Sequence, residues 1–438
     1  MDMASAAHVP GFDASGPTLQ EVGEAELLRR LTAIARRHGD DPRLVVASGD
    51  DAAVWRPPGG AGIVLSQDAI VEGEDFLRDW IDPRAVGRRA LAAALSDLAA
   101  MGARPALCMV TICAPGTSRV DDLLAIQEGI CAAASEAACQ VAGGDVSAIA
   151  GPLVIDVAVV GTVDPGRALR RDRGRPGDVL VVTGCLGGAA AGLRLLLAGR
   201  RGPVRQEGHG HGAKGHSHGS EGHGHGADGH GHEAERHGHG AEGHGHRGAA
   251  VPERGHGRQG HGHPTAELDA AAEAEERWLG RQLRPRARLG EGQALVRLGV
   301  SCAGDLSDGL IVDVGRIIEA SGCAAEIWLD SVPADPSIRS LLGEAWVDAA
   351  LGGGEDFELV AAVPAERLNG LLTRWPAGLE PLHAVGRLTS GSGLRLLDRR
   401  DGAEVQLPPI ASRHFQPPPI ASWNVQQPPI TSRHVQQP

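Results

Sequence analysis

Fifteen of the chain's twenty histidines fall between positions 205 and 263, nearly all separated by Gly, Ala or Glu in a G-H-G-H pattern. The tract has almost nothing apolar to bury. Ordering backbone is unfavourable by about 1–2 kcal/mol per residue with no core to offset it, so the composition predicts disorder. Any fold must therefore be assembled from the two flanking stretches. A second break comes at Leu407, where a ten-residue unit recurs as LPPIASRHFQ, PPPIASWNVQ and QPPITSRHVQ. Three units this short bury too little for a repeat domain, and their Pro-Pro pairs favour an exposed tail. The expected organisation is a flexible leader (1–20), a first domain (21–165), a second domain (166–405) interrupted by the insert 205–263, and a Pro-rich tail (406–438).

Composition excludes several functions. A formal net charge of −13 argues against a nucleic-acid surface. The only lysine, Lys214, lies inside the histidine tract, so the folded part has neither a P-loop lysine nor a Schiff-base lysine. The opening MDMASAAHVPGFDASG lacks the basic and apolar regions of a signal peptide, and no apolar run reaches the ~18 residues of a membrane span. Seven cysteines without a C-x-x-C pair read as reduced, mostly buried thiols. The expectation is a cytoplasmic protein with no membrane partner.

The local pattern is mixed α/β. GIVLSQDAI (62–70) and LVIDVAVVGTV (153–163) read as strands, as do the ends of GRPGDVLVVTG (174–184) and FELVAAV (357–363). Asp82 and Pro83 open a helix that Gly102 closes. Ser118 with Asp121 forms a capping box for a helix running through Ala138. GAAAGLRLLLAG is a further helix, and SDGLIVDVGRIIEASG (307–322) another, with Ser307 as N-cap and Leu310, Val314, Ile317 and Ile318 on its apolar side.

Acidic residues stand where a core would not choose them: in GDDAA (49–53), SQD (66–68), LSDLAAMGA (95–103), GGD (143–145) and DLSDGL (305–310). An Asx-turn or helix cap explains any one of these. Asp97 resists that account, because it lies late in an Ala-rich apolar helix where an unpaired carboxylate is unfavourable. If the segments converge, the carboxylates repel one another unless a hard cation such as Mg²⁺ neutralises them, and Mg²⁺ bridges carboxylates to phosphates. Gly143, Gly144 and Gly184 would then let backbone N–H groups approach phosphate oxygens without a lysine.

The ordered series GDDAAV, SQDAIVEGEDF, SDLAAMGARP, AGGDV, RPGDVLVVTGCLG, DLSDGL and GGGEDFEL resembles the thiamine-monophosphate kinase family. That family shares a superfamily with aminoimidazole ribonucleotide synthetase, selenophosphate synthetase and the hydrogenase maturation dehydratase. The resemblance covers about residues 21–405, apart from the insert. It implies a two-domain α/β (α+β) fold like aminoimidazole ribonucleotide synthetase, with ATP in the cleft between lobes and a homodimer formed through the N-terminal sheet. By position it implies metal ligands at Asp51, Asp68, Asp97, Asp145, Asp305 and Asp308, with Ser66 and Gln67 beside them. It implies ATP contacts at Gly144, Asp145, Arg171 and Ser307, and substrate contacts at Asp75 and Glu355. The activity implied is transfer of the ATP γ-phosphoryl group to thiamine phosphate with several Mg²⁺ ions. No catalytic base is needed, because the acceptor phosphate is already anionic.

Three positions depart from the family pattern. Asp75 replaces a histidine in G-x-H-F, Ala94 replaces an asparagine two residues before Ser96, and Ser412 stands where a C-terminal aromatic ring is usual. Selenophosphate synthetase needs an early Cys or selenocysteine with a lysine, and the hydrogenase enzyme needs a terminal Cys; neither is present. Two alternatives stay open: a related enzyme acting on another small phosphorylated substrate, and a non-catalytic nucleotide- and metal-binding protein whose His tract holds Ni²⁺ or Zn²⁺.

Overall fold

The computed structural model describes Glu26 and residues 44–46, 50–56, 60–200, 264–400 and 402–406. The His-rich insert, Ser412, the tail repeats and the leader (1–20) lie outside the described residues.

The first sheet has six strands: β1 (Leu44–Val46), β2 (Ala53–Trp55), β3 (Gly62–Val71), β4 (Arg104–Ala114), β5 (Gln140–Ala148) and β6 (Val154–Val163), in the order β1-β2-β3-β6-β4-β5. Its centre is the antiparallel β3–β6 pair, in register from Gly62↔Val163 to Val71↔Val154. Strict alternation along β6 buries Ile155, Val157, Val159 and Val163 on one face. That face is covered by helices α1 (Pro83–Ala100) and α2 (Val120–Glu136), and α2 is the crossover joining the parallel strands β4 and β5.

Helix α1 begins as its sequence dictates. The Asp82 carboxylate accepts a hydrogen bond from the Ala85 N–H at 2.9 Å, Pro83 fits the first turn, and Gly102 follows the C-cap at φ +66°. Its alanines are nearly all inaccessible because the helix is packed on several sides. A Cβ on Gly129 of α2 would overlap the Arg84 carbonyl, and one on Gly87 would overlap the Ile126 carbonyl, so the two helices cross backbone to backbone. The capping box expected at Ser118 does not form. Ser118 N–H closes a turn onto the Pro115 carbonyl at 2.9 Å, its hydroxyl has no protein partner, and α2 starts at Val120 without a side-chain cap.

The second sheet is assembled from β7 (Val179–Thr183), β8 (Cys302–Leu306), β9 (Ala324–Trp328), β10 (Glu358–Val363), β11 (Leu382–Thr389), β12 (Leu394–Leu397) and β13 (Glu404–Val405), in the order β13-β12-β9-β11-β7-β10-β8. Around it lie α3 (Gly188–Leu197), α4 (Pro264–Leu283), α5 (Leu289–Arg297) and α6 (Leu310–Ser321). Alternation again divides the faces. Leu180, Val182, Cys302 and Leu306 pack with Leu310, Val314 and Ile317 of α6. Val181, Ala303, Leu359 and Ala361 pack with Leu295 of α5 and with Ala99 and Ala100 of α1. Helix α1 thus belongs to both cores, and the functional residues gather along it.

Ser307 is not the N-cap of α6. The cap position is Gly309, and the Asp313 carboxylate, from inside the helix, accepts from the N–H groups of Asp308 and Gly309 at 3.0 and 3.1 Å. All seven cysteines are free, with Cys108, Cys139, Cys302 and Cys323 buried. Among the described residues no helix is long and apolar enough to cross a membrane.

Candidate functional site

Asp51 precedes β2, Asp97 lies in the last turn of α1 and Asp305 lies in β8, yet a carboxylate oxygen from each lies within 4.8 Å of the others. Asp305 shares the parity of Ala303, so it faces α1, where Ser96 donates to its Oδ2 at 2.7 Å. Ser66, on the helix-covered face of β3, donates to Asp97 Oδ2 and reaches the Asp51 carbonyl at 3.4 Å. Asp68, two residues along the same face, adds to the repulsion on Asp97. Burial, with repulsion from the neighbouring carboxylates, holds the Asp51 and Asp97 carboxyls well above the usual range.

Arg171 supplies the counter-charge. Its guanidinium binds Asp51 Oδ1 and lies 3.9 Å from Asp305. Its backbone is pinned by Asp50, which accepts the Arg171 N–H at 3.1 Å, and by the Ser321 hydroxyl, which donates to its carbonyl at 2.6 Å. The neighbouring Arg170 instead pairs with Asp172, so Arg171 is the one turned to the cluster. One guanidinium does not neutralise three carboxylates, and among the described residues the buried Asp51 Oδ2 has no hydrogen-bond partner. A hard divalent cation matches this all-oxygen donor set.

The remaining expected residues fall into three groups. Asp308, three residues after Asp305, is not among the three clustered carboxylates; it is held by Arg316, which also binds Asp313 at 2.8 Å. Burial, with Asp305 and Asp308 nearby, pushes Asp313 up to about 8. Ser307 is half-buried beneath the Gly-rich loop and accepts the Glu355 N–H at 2.7 Å. Gln67, Gly144 and Asp145 are not brought to the cluster. Strand alternation turns Gln67 to the opposite face, where it donates to Asp156 at 2.8 Å. Gly144 and Asp145 are exposed on the edge strand β5, with Asp145 opposite Thr111. A side chain at 144 would overlap the Val110 carbonyl.

The third group forms the wall of a separate cavity. Asp75 accepts from the Val71 N–H at 2.7 Å and lines the cavity with Phe76, Trp80, Arg89 and Gln282. Glu355 is bound behind it by Arg89 and Gln282. Sequence reasoning missed Arg89, Ser96, Gln282, Asp313 and Arg316. Only Arg89 left a signal: a charge directly before the alanine-rich run ALAAAL (90–95), inside a helix whose core-facing positions are otherwise largely apolar.

Residues 49–163 match the family described as AIR synthase related protein, N-terminal domain, and residues 250–399 match its C-terminal domain. The chain is 31% identical over 372 residues to the thiamine-monophosphate kinase of Salmonella typhimurium, covering 84% of this chain and 91% of that one. The crystal structure of thiamine-monophosphate kinase from Stenotrophomonas maltophilia K279a superposes with a TM-score of 0.58 at 29% identity, over 86% of this chain and 96% of that one. The structure of AaThiL complexed with AMPPCP and TMP shares the fold with a TM-score of 0.63 at 24% identity, over 90% and 98% of the two chains. With its carboxylate cluster, its two-sheet architecture and this extent of similarity, the chain belongs to the thiamine-monophosphate kinase family within the AIR synthase superfamily.

Proposed function

We propose that this chain transfers the γ-phosphoryl group of ATP to thiamine phosphate, giving ADP and thiamine diphosphate. The observation that carries the reading is the buried Asp51–Asp97–Asp305 cluster with its unpartnered Asp51 oxygen. Asp51, Asp68, Asp97, Asp305 and Asp308, with Ser66, are the groups that would hold Mg²⁺. When bound, Mg²⁺ screens the charge of the two phosphates and of the transferring group. Arg171 is the protein's own positive group at the same point, poised to exchange a carboxylate for a phosphate oxygen. Ser307 borders the nucleotide, and Asp75 and Glu355 border the acceptor.

A homodimer completes this reading. The sheet face opposite α1 and α2 leaves Leu65, Met109 and Val146 at 40%, 52% and 73% exposure, and β5 is an edge strand with no outer neighbour among the described residues. A second copy packed on this face would cover apolar surface that a monomer leaves in water. The acidic balance and the absence of a spanning helix among the described residues support a cytoplasmic enzyme of small substrates.

One observation favours a second acceptor. Asp75 stands where the family carries histidine and is engaged in its own turn. Product analysis under saturating Mg-ATP decides between them. Thiamine diphosphate should form from thiamine phosphate, while aminoimidazole ribonucleotide precursors leave ADP release at background. The reverse pattern would sink the thiamine reading.

The His tract is proposed to bind Ni²⁺ or Zn²⁺ without serving catalysis. Neutral imidazoles two residues apart suit borderline cations, and lengthening a loop adds little closure entropy. Excising 205–263 while keeping α4 should leave kcat within about two-fold, since long surface insertions are thermodynamically mild, and should abolish most Ni²⁺ uptake in a calorimetric titration. Equal uptake by both proteins, or lost phosphoryl transfer, would refute the respective claim.

A further inference from the structure

Arg89 is 3% exposed in the middle of α1, a site that an apolar residue would fill without cost. Its Nη1 donates to the Gln282 carbonyl at the end of α4, and its Nη2 to Glu355 Oε1. The Gln282 amide donates to the other Glu355 oxygen at 2.7 Å. Both oxygens of one carboxylate are therefore held, by residues from two different helices. Two further features converge on the same group. Glu355 has φ +67°, a left-handed conformation unfavourable for a side chain by about 1–2 kcal/mol. Arg89 Nε is buried with no hydrogen-bond partner among the described residues. Packing alone requires neither, and strain of this kind persists where surrounding contacts over-determine a functional group.

We propose that Arg89 and Gln282 are positioning residues of the acceptor site, fixing the Glu355 carboxylate at the end of the substrate remote from the transferred phosphate. This rests on the kinase reading above and extends it to how the acceptor is oriented. The spacing along α1 supports it. Arg89 and Asp97 are eight residues apart, about 12 Å of helix rise, so one rigid rod sets the separation between the acceptor's ring end and the carboxylate cluster. Asp75, Phe76 and Trp80 line a water-sized cavity together with Arg89 and Gln282, so the pair that holds Glu355 is itself packed against the segment after β3.

The test separates acceptor handling from stability. Gln282→Leu removes one donor to Glu355 and keeps the backbone carbonyl that Arg89 uses. It should raise the acceptor KM about ten-fold, the effect of losing one charge-assisted hydrogen bond. Affinity for a Mg-bound, non-hydrolysable ATP analogue should stay within about two-fold, because the cluster lies elsewhere on α1. Arg89→Met should raise the acceptor KM further, and Arg89→Lys, which keeps charge but not the fork, should recover part of the loss. Should Arg89→Met fail to fold, Gln282→Leu and Arg89→Lys still decide. An unchanged acceptor KM in Gln282→Leu overturns the proposal. So does a loss in which acceptor and ATP-analogue binding decline together with Tm. Wild-type protein that does not phosphorylate thiamine phosphate would overturn the kinase reading itself, a result visible before any variant is made.

Discussion

Asp97→Asn should lower kcat by about 10²–10³-fold, the scale expected when a group stabilising transferred charge is lost, while the metal-free protein keeps or gains thermal stability. The two halves follow from the same geometry. Asparagine retains the shape and can still accept the Ser66 hydrogen bond, so the end of α1 need not rearrange. What disappears is a charge that burial and Asp305 already oppose. Without a cation, removing it relieves repulsion. With Mg²⁺ present, removing it takes away a ligand, so the rise in Tm on adding Mg²⁺ should shrink. Turnover within about three-fold of wild type at saturating Mg²⁺ would place Asp97 outside the metal cluster, given what such ligands contribute elsewhere. A large fall in metal-free Tm would mark it as a structural group.

The parts of this fold that were legible in sequence are those written in local periodicity. The β6 alternation and the Asp82–Pro83–Gly102 punctuation of α1 carry their own physics. So does the position of Asp97, conspicuous because a carboxylate is out of place in an alanine-rich helix. Strand period also held information that the family pattern obscured: Ser66 and Asp68 share a face and Gln67 cannot join them. The two mistaken caps have a common cause. Ser118 and Ser307 sit at the right offsets, but the turn onto Pro115 takes the Ser118 N–H that Asp121 would have bound, and Asp313 takes the Gly309 N–H open to Ser307; such competition is settled in three dimensions. Arg89 and Glu355 are 266 positions apart, so no local pattern announces their pairing.

The acidic run Glu355–Asp356–Phe357–Glu358 shows how far one motif can divide its labour. Only Glu355 pairs with Arg89 and Gln282. Asp356 accepts from Gly187 and Ala189 N–H at 2.6 and 2.9 Å, capping α3, and Glu358 is fully inaccessible. The Glu358 carboxylate accepts from Thr183 Oγ1 at 2.6 Å, from Arg281 at 3.0 Å, and from Arg288 through Nε and Nη2 at 2.8 and 2.6 Å. It thereby ties β10 to β7, to the end of α4 and to the start of α5. Glu358→Ala should destabilise the protein by about 3–5 kcal/mol, because breaking a buried pair strands charge that burial penalises. The side chain of Arg288, only 14% exposed, bears most of this, and Arg281 at 29% has more access to water. Replacing Glu358 with Leu should not rescue stability, since the stranded guanidinium remains. Combining it with Arg288→Met should recover much of the loss, because both partners then become apolar. Thermal unfolding of the two single variants and the double variant measures the coupling directly. If Glu358→Ala melts within a degree or two of wild type, the network contributes nothing to holding the second sheet against its helices, and the shape of the 353–357 segment must rest on contacts such as those of Asp356 and the Ser307–Glu355 backbone bond.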